Sequence, residues 1–234
     1  MSEPIPTGCE SIDTLLGGGI ERGVVTQLYG PPASGKTNIA LSSAIRTAVS
    51  GATALYIDTE GISLDRFEGL ARAAADGDDI EAITSRVIIS DAIDFDEQRE
   101  AVRDAGELAE RVDLIVLDSA TGFYRLERDN DDGGETLRTV AKQITHLLGL
   151  ARRHDIAVLI TNQVYADPET DSGRPRPLGG HTLTHWSGAV LRLERFRGGN
   201  RRATLEKHRS KAAGETARFR ITADGLEAVE ERSV

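Results

Sequence analysis

A run of eight residues near the N-terminus has the types and spacing that hold phosphate groups. Residues 30–37 match the pattern G-x-x-x-x-G-K-[ST] in full, and they are Gly30, Pro31, Pro32, Ala33, Ser34, Gly35, Lys36 and Thr37. Glycines allow backbone N–H groups to converge on phosphate oxygens, and the helix expected after them adds a positive dipole. Lys36 should reach the β- and γ-phosphates, and the Thr37 hydroxyl should ligate Mg²⁺. The run therefore predicts a site for ATP with Mg²⁺.

Acidic residues follow two apolar runs that read as buried strands. Asp118 ends the run Leu-Ile-Val-Leu-Asp and is predicted to lie near the metal, where it would hold Mg²⁺ through water. Asp58 and Glu60 follow another such run, and we expect Glu60 to orient and deprotonate the attacking water. Asp58 fits a structural role better. The alternative for Asp118, Asp58 and Glu60 is that they cap turns.

An uncharged amide closes a third run. Asn162 and Gln163 follow Ile160-Thr161, at a strand end where an amide can sense the γ-phosphate. An Asn-Gln pair also occurs in ordinary turns, so this signal depends on the phosphate loop and the carboxylates described above.

Alternating β-rich and helical patterns must position these groups. The patterns predict strands at Val24–Tyr29, Thr53–Asp58, Arg86–Ser90, Asp113–Asp118 and Ile156–Thr161. They predict helices at Lys36–Ser50, Ser63–Ala75, Phe95–Glu110 and Glu135–His154. This order is typical of βαβ units, and it predicts an α/β fold with a mostly parallel sheet.

After Thr161 the pattern changes to strands joined by short turns. Strands are predicted at Gly188–Arg195, Arg201–His208 and Ala217–Thr222, which extend the sheet with antiparallel strands. Two stretches, Phe123–Gly134 and Ala166–Gly180, have no regular pattern. Because no flexible linker interrupts the chain, residues 1–234 are expected to form a single domain.

The composition of the chain indicates where the protein is located and the kind of organism it comes from. The chain has a net charge of -10, one cysteine, no N-terminal signal pattern and no apolar run long enough for a membrane helix, so we expect a cytoplasmic protein without a membrane partner. Its basic residues are 24 arginines and only 4 lysines. This bias, with abundant aspartate and few aromatics, indicates a halophilic source. An ordinary acidic protein is the alternative.

Charge is distributed unevenly along the chain. Residues 186–220 contain eight arginines and two lysines against three glutamates, a net charge of +7 on an otherwise acidic protein. A basic C-terminal third gives a bound anion or nucleic acid strand a preferred side.

The ordered set of motifs resembles the RecA/RadA recombinase family. Five motifs follow one another in the order they have in that family, and together they span nearly the whole chain. They are the phosphate loop, Asp58-Thr59-Glu60, the strand ending at Asp118, Asn162-Gln163 and Gly179-Gly180-His181. The chain is most similar to the archaeal paralogues of RadA. These lack RadA's N-terminal helix-hairpin-helix domain, and here only 29 residues precede the phosphate loop. The resemblance implies a RecA-like P-loop NTPase core.

The same resemblance implies residue roles. Lys36 and Thr37 would bind phosphate and Mg²⁺, Asp118 would be the Walker B acid, Glu60 the catalytic glutamate and Gln163 the γ-phosphate sensor. The two irregular stretches correspond to DNA-binding loops, and the candidate contacts in them are Arg125, Arg128, Arg174 and Arg176. Lys207 and Arg209 resemble a finger that reaches a neighbouring subunit's ATP, or else they belong to a solvated basic strand.

Departures from the family pattern shape the expected function. RadA uses a Phe-x-x-Ala tether between subunits, and no such sequence occurs here, so robust filaments are not expected. We expect an accessory protein of recombination and DNA repair that binds ATP and DNA, modulates a RadA-type recombinase, and hydrolyses ATP weakly, with stimulation by DNA, or not at all. Whether it forms a dimer or larger homo-oligomer stays open. The alternatives are a filament-forming strand-exchange recombinase and a KaiC-like signalling ATPase without a DNA role.

Overall fold

The structure, a computed structural model, describes residues 2–77, 79–124, 134–165 and 176–229, with only the backbone at 165 and 176. Four of the predicted DNA contacts lie outside this description: Arg125, Arg128, Arg174 and the side chain of Arg176. Most of the two predicted loops lies outside it as well.

A central sheet organises the described part of the chain. Its strands are β1 (Val25–Tyr29), β2 (Ala54–Asp58), β3 (Val87–Asp91), β4 (Leu114–Asp118), β5 (Ala157–Asn162), β8 (Ala189–Arg195), β9 (Asn200–Lys207), β10 (Thr216–Ile221) and β11 (Leu226–Ala228). They lie in the order β11-β10-β9-β8-β1-β5-β4-β2-β3. A separate small ribbon pairs β6 (Val164–Tyr165) with β7 (Arg176–Pro177).

Seven α-helices accompany these strands within the described ranges. They are α1 (Glu10–Leu16), α2 (Lys36–Val49), α3 (Leu64–Ala74), α4 (Ile80–Thr84), α5 (Phe95–Leu108), α6 (Gly134–His154) and α7 (His181–Trp186). Side chains begin several of them: the Ser63 hydroxyl caps α3, and the carboxylates of Asp79 and Asp94 cap α4 and α5. The five predicted parallel strands and the four predicted helices are confirmed, with ends shifted by at most two residues.

Strands β1, β5, β4, β2 and β3 are mutually parallel, and their register brings their carboxyl ends to one edge. Tyr29 pairs with Asn162, and Asp58 pairs with Asp118. Every residue of β1, β2, β4 and β5 is buried, because helices cover both faces of this part of the sheet. Two apolar clusters result, one containing residues of α1, α2 and α3 and the other residues of α5 and α6. The polar strand ends are therefore held at the edge of a rigid core.

The C-terminal strands extend the sheet as expected, with one difference at β8. This strand pairs with β1 in parallel, and only from β9 onward does the pairing become antiparallel. The 26 residues between Asn162 and Ala189 allow a crossover connection, which parallel pairing requires, whereas short turns join β8 to β9 and β10 to β11. The prediction of antiparallel strands is confirmed for β9 and β10, and the structure adds the short strand β11, which was not predicted.

Three short helices, α1, α4 and α7, were not predicted. They have seven, five and six residues. A helix of two turns or fewer contains too few apolar positions to establish a 3.6-residue period against the surrounding loops. Such segments are found only when the packing around them is known.

Candidate functional site

The phosphate loop occupies the carboxyl edge of the sheet, between β1 and α2. Gly35 adopts φ 108°, a left-handed conformation that favours glycine, and Lys36 begins the helix. Gly30 is constrained by space, because a Cβ there would lie 2.4 Å from the carbonyl oxygen of Leu193. The two glycines of the motif are thus required by backbone geometry and by close packing against β8.

Lys36 folds back over the loop that precedes it. Its Nζ donates hydrogen bonds to the carbonyl oxygens of Gly30 at 3.0 Å and Pro31 at 3.2 Å, and the residue is buried. Burial lowers the pKa of Lys36, while the nearby carboxylates of Glu60 and Asp118 oppose that shift. A desolvated cation at a helix N-terminus is a strong attractor for phosphate.

Asp118 is held rigidly at the end of β4. The Tyr56 hydroxyl donates to its Oδ2 at 2.6 Å, and the Thr161 hydroxyl donates to its Oδ1. Burial raises the pKa of Asp118, and hydrogen bonds from Thr161, Tyr56 and the Thr37 side chain oppose the shift. Thr37 and Asp118 thus bring a hydroxyl and a carboxylate oxygen together. This set of hard oxygen donors beside a phosphate loop fits Mg²⁺.

The side chains of Glu60 and Gln163 contact each other beside the phosphate loop. The Gln163 amide donates from Nε2 to Glu60 Oε1 at 2.8 Å. Both residues line one pocket of about 210 Å³, together with Pro32, Ala33, Gly35, Lys36, Thr37 and Asn38. Residues that are up to 131 positions apart in the sequence therefore surround a single space, as the sequence predicts.

Asp58 shapes the turn that presents Glu60. Its Oδ1 accepts hydrogen bonds from the backbone N–H groups of Glu60 at 3.1 Å and Gly61 at 3.0 Å, and its Oδ2 accepts from Ile62 N–H at 2.6 Å. Both carboxylate oxygens are occupied by backbone donors, which agrees with a structural role for Asp58 and leaves Glu60 as the carboxylate that faces the pocket.

Asn162 links the start of one predicted loop to the end of the other. Its Oδ1 accepts from the Thr121 hydroxyl at 2.6 Å, and its Nδ2 donates to the Leu178 carbonyl oxygen at 2.9 Å. The Gln163 N–H also donates to the Thr121 hydroxyl at 3.3 Å. The amide pair at this strand end therefore has two roles: Asn162 connects backbone segments, and Gln163 faces the pocket.

Sequence reasoning missed the groups that support these residues. Tyr56 and Thr161 orient Asp118, and Arg66 donates from Nε to the Asn38 side chain at 2.9 Å beside the phosphate loop. Tyr56 and Thr161 are polar residues within otherwise apolar buried strands, and that exception was the available signal. Arg66 gave none, because an arginine near a helix start is common on surfaces.

Lys207 and Arg209 lie apart from the pocket in this chain. Lys207 Nζ donates to the carbonyl oxygens of Thr184 at 2.8 Å and His185 at 3.1 Å, and so it caps the end of α7. Arg209 pairs with Glu21 at 3.3 Å. Within the chain they are tied to neighbouring segments, and their predicted role toward another subunit stays a prediction.

The described residues exclude two further features. No cluster of three or more His, Cys, Asp or Glu residues that could bind a metal occurs among them, and His181 and His185 have no such companion. In the same part of the chain, no helix combines the length and the apolar character that crossing a bilayer requires.

Comparisons with known proteins agree with the fold and the order of the motifs. The Rad51 family model matches residues 3–229. A protein of Halobacterium salinarum named DNA repair and recombination protein RadB is 64% identical over 225 residues, covering 96% of this chain and 94% of that protein. A protein of the same name from Methanococcoides burtonii is 44% identical over 97% of this chain and 98% of that protein. A crystal structure of a RadB recombinase superposes with a TM-score of 0.80 at 39% identity, covering 97% of this chain and 100% of the other.

Proposed function

The chain belongs to the Rad51 family and, within it, to the archaeal RadB proteins, and we propose that it is an ATP- and Mg²⁺-binding accessory protein of recombination and DNA repair. In this proposal it binds DNA, modulates a RadA-type recombinase, and hydrolyses ATP slowly. A halophilic source fits its arginine-rich, acidic composition and its similarity to a Halobacterium protein.

One observation carries the nucleotide proposal: Lys36, Thr37, Glu60 and Gln163 line the same pocket, with Asp118 close to Thr37 beside it. The loop amides and Lys36 would bind the β- and γ-phosphates. Thr37 and Asp118 would hold Mg²⁺, which when bound neutralises charge on those phosphates. Glu60 would accept a proton from the attacking water, and Gln163 would fix the Glu60 carboxylate and contact the γ-phosphate.

The position of Glu60 supports slow turnover. In the chain as it stands Glu60 is exposed, so its carboxylate contacts bulk water as well as the pocket. Efficient hydrolysis requires a base screened from solvent, and a second macromolecule covering the pocket would provide that screening. We therefore propose that hydrolysis is slow in the isolated protein and rises when DNA or a recombinase binds.

The proposed role with DNA and a recombinase rests on other observations. The names of the similar proteins refer to DNA repair and recombination, and residues 186–220 have a net charge of +7. The first predicted loop contains Asp129-Asn130-Asp131-Asp132, which would repel a phosphate backbone. This favours an assisting role over that of the main strand-exchange protein. Arg174 and Arg176 stay the predicted contacts of the second loop.

The most informative test measures ATP hydrolysis alone, with DNA, and with the organism's main recombinase added. We expect slow basal turnover, stimulation by DNA, and an altered recombinase activity in the mixture. Continuous filaments with ATP and DNA in electron microscopy would instead indicate a strand-exchange recombinase. Failure to shift DNA at any salt concentration would indicate a signalling ATPase.

A further inference from the structure

A cleft at the turn between β8 and β9 combines arginine side chains with an exposed aromatic ring. The cleft has a volume of about 230 Å³ and is lined by Phe196, Asn200, Arg201, Arg202, Arg218 and Val229. We call these six residues the arginine cleft. It lies outside the nucleotide pocket, and none of its residues belongs to the predicted DNA loops.

The ring of Phe196 is held in place and kept accessible. The Arg202 guanidinium lies 5.0 Å from the ring centroid, a cation–π contact. Arg202 is itself fixed, because its Nε and Nη2 donate to Glu194 Oε2 at 3.1 and 2.9 Å. Phe196 still exposes 46% of its surface, so the ring is supported by Arg202 while much of it contacts solvent. A preorganised aromatic surface of this kind binds another planar group at a low entropic cost.

Positive charge around the ring is largely uncompensated. Arg195 and Arg197 flank Phe196 in the chain, both are exposed, and within the described ranges neither forms an ion pair or a side-chain hydrogen bond. Arg201 donates to the carbonyl oxygens of Gly199 and Ala33 and pairs with no described carboxylate. Glu194 neutralises Arg202, which leaves Arg195, Arg197 and Arg201 to attract an anion.

Aromatic and cationic groups together select the ligand class. Guanidinium groups bind phosphate, and an exposed ring stacks on a base that is not paired within a duplex. An acidic peptide would use the arginines and leave the ring without a partner.

We propose that the arginine cleft, with Arg195 and Arg197 beside it, binds single-stranded nucleic acid by stacking a base on Phe196 and contacting phosphates with the arginines. The inference rests on the proposed DNA role and adds a binding surface separate from the two predicted loops. Arg201 connects this surface to the phosphate loop, since its Nη2 donates to the Ala33 carbonyl oxygen at 3.4 Å. A bound strand would therefore lie close to the nucleotide.

The charge arm of the test uses Arg195→Gln with Arg197→Gln and a short fluorescent oligothymidylate titrated at several KCl concentrations. Loss of two phosphate contacts should weaken binding and reduce the slope of log affinity against log salt by about 1.4, at ~0.7 per contact for a single strand. The matched control is Arg152→Gln with Arg153→Gln, an equal charge change on two exposed residues of α6. Equal affinity and slope in the two double variants would overturn the proposal.

The aromatic arm separates stacking from charge. Phe196→Ala and Phe196→Leu should each weaken oligothymidylate binding at least about fivefold, since base–aromatic stacking is worth ~1–3 kcal/mol, whereas Phe196→Tyr should retain binding. Binding to a duplex of the same length should change little. Thermal unfolding of each variant checks that the fold is kept. If Phe196→Ala binds the single strand normally and polyglutamate competes as well as DNA does, an acidic protein is the partner and the proposal is wrong.

The outcomes also distinguish this inference from the proposed function. A wild-type protein that binds no oligothymidylate contradicts both the DNA role and the arginine cleft. A wild-type protein that binds it, with both the charge and the aromatic variants unaffected, contradicts only the cleft and assigns DNA binding to the predicted loops.

Discussion

The parallel half of the sheet and its antiparallel extension differ in where their strands place polar and charged residues. Strands β1, β2, β4 and β5 are buried along their whole length, and β2, β4 and β5 end in Asp58, Asp118 and Asn162 at the carboxyl edge. In β9 and β10 buried residues such as Ala203 and Phe219 alternate with half-buried or exposed ones, and the second face carries charge. The parallel half therefore places its functional side chains at the carboxyl edge of the sheet, and the extension places its charged side chains on one face of the sheet.

This difference affects how tightly functional groups are held. Asp118 sits in a dry environment where each oxygen has an assigned donor, so its position is fixed before any ligand arrives. Arg192, Glu194, Arg202 and Glu206 on the extension form a chain of ion pairs that remains in contact with water. Such pairs contribute little to stability individually. The edge is suited to phosphate chemistry, and the face is suited to contacts with a larger partner.

The strongest test of the edge is Lys36→Ala. The change removes the buried cation that the loop presents to phosphate, and ATP affinity should fall by about 100-fold or more, since a hydrogen bond to a charged group is worth ~1.5–3 kcal/mol and Lys36 would make several. Fluorescent-nucleotide titration measures this. Lys142→Ala, at an exposed lysine of α6, is the matched control and should bind normally. Normal affinity in Lys36→Ala would remove the nucleotide from this edge.

Glu60→Gln separates catalysis from binding at the same edge. The amide keeps the shape of the side chain but cannot accept a proton, so the rate of any hydrolysis should fall by about 100-fold, within the ~10²–10⁴ range of general-base catalysis. ATP affinity should stay unchanged. Phosphate release measured with and without DNA gives the rate, and Glu68→Gln on α3 serves as the control for an exposed glutamate. An unaltered rate would exclude Glu60 from the reaction.

Asp118→Asn tests the metal site and has a defined pH signature. The gain in ATP affinity on adding Mg²⁺ should fall by about tenfold, as for other residues that hold a metal through water. Burial raises the pKa of Asp118 above 3.8, so protonation favours the folded state. Without Mg²⁺, wild-type stability should therefore decline as pH rises from 3.8 through the folded-state pKa, whereas the variant lacks this component.

Melting curves over that pH range, in EDTA, compare the two proteins directly. The melting temperature of the variant relative to wild type should increase with pH and then level off. Adding Mg²⁺ with ATP should raise the melting temperature of the wild type above that of the variant, because only the wild type gains stability from binding them. A difference that does not vary with pH would show that burial has no net effect on the ionisation of Asp118.

The fold of the parallel half could be predicted because its signals are local. Each strand is a short apolar run and each long helix has a clear period, so their ends are found within two residues. Pairing direction is different, since it depends on the path between strands. The parallel placement of β8 beside β1 required the crossover through α7, and nothing within residues 189–195 indicates it.

The site divides in the same way. Lys36, Thr37, Glu60 and Asp118 occur in patterns whose spacing follows from the chemistry of phosphate and Mg²⁺, and the structure brings them together. Tyr56 and Thr161 lie on separate strands, and their contact with Asp118 depends on the register of β2, β4 and β5. Residues that contact a ligand can be identified from the sequence pattern. Residues that support them through contacts with one another can be identified only from the three-dimensional structure.

Glu206→Gln tests the contact between the antiparallel extension and the strand that precedes the phosphate loop. Of the substitutions considered, it should have the smallest effect. Glu206 accepts hydrogen bonds from the Tyr29 hydroxyl at 2.5 Å and from Arg192 Nε at 2.9 Å, and Tyr29 directly precedes the phosphate loop. The variant loses a charge but keeps one carbonyl acceptor, so unfolding should be easier by about 1 kcal/mol. Glu215→Gln, which changes an exposed glutamate before β10, is the matched control and should have no measurable effect.

The informative quantity in this experiment is ATP affinity, measured beside stability. Tyr29 is buried, and its backbone is paired on both sides, with Asn162 of β5 and Arg192 of β8. Strand pairing should therefore hold the start of the phosphate loop even when the hydroxyl loses a charged partner, and affinity should not change. If affinity falls together with stability, the charged face of the extension helps to set the shape of the loop. Edge and face would then act as one unit, and a strand bound in the arginine cleft could affect the nucleotide through β9 as well as through Arg201.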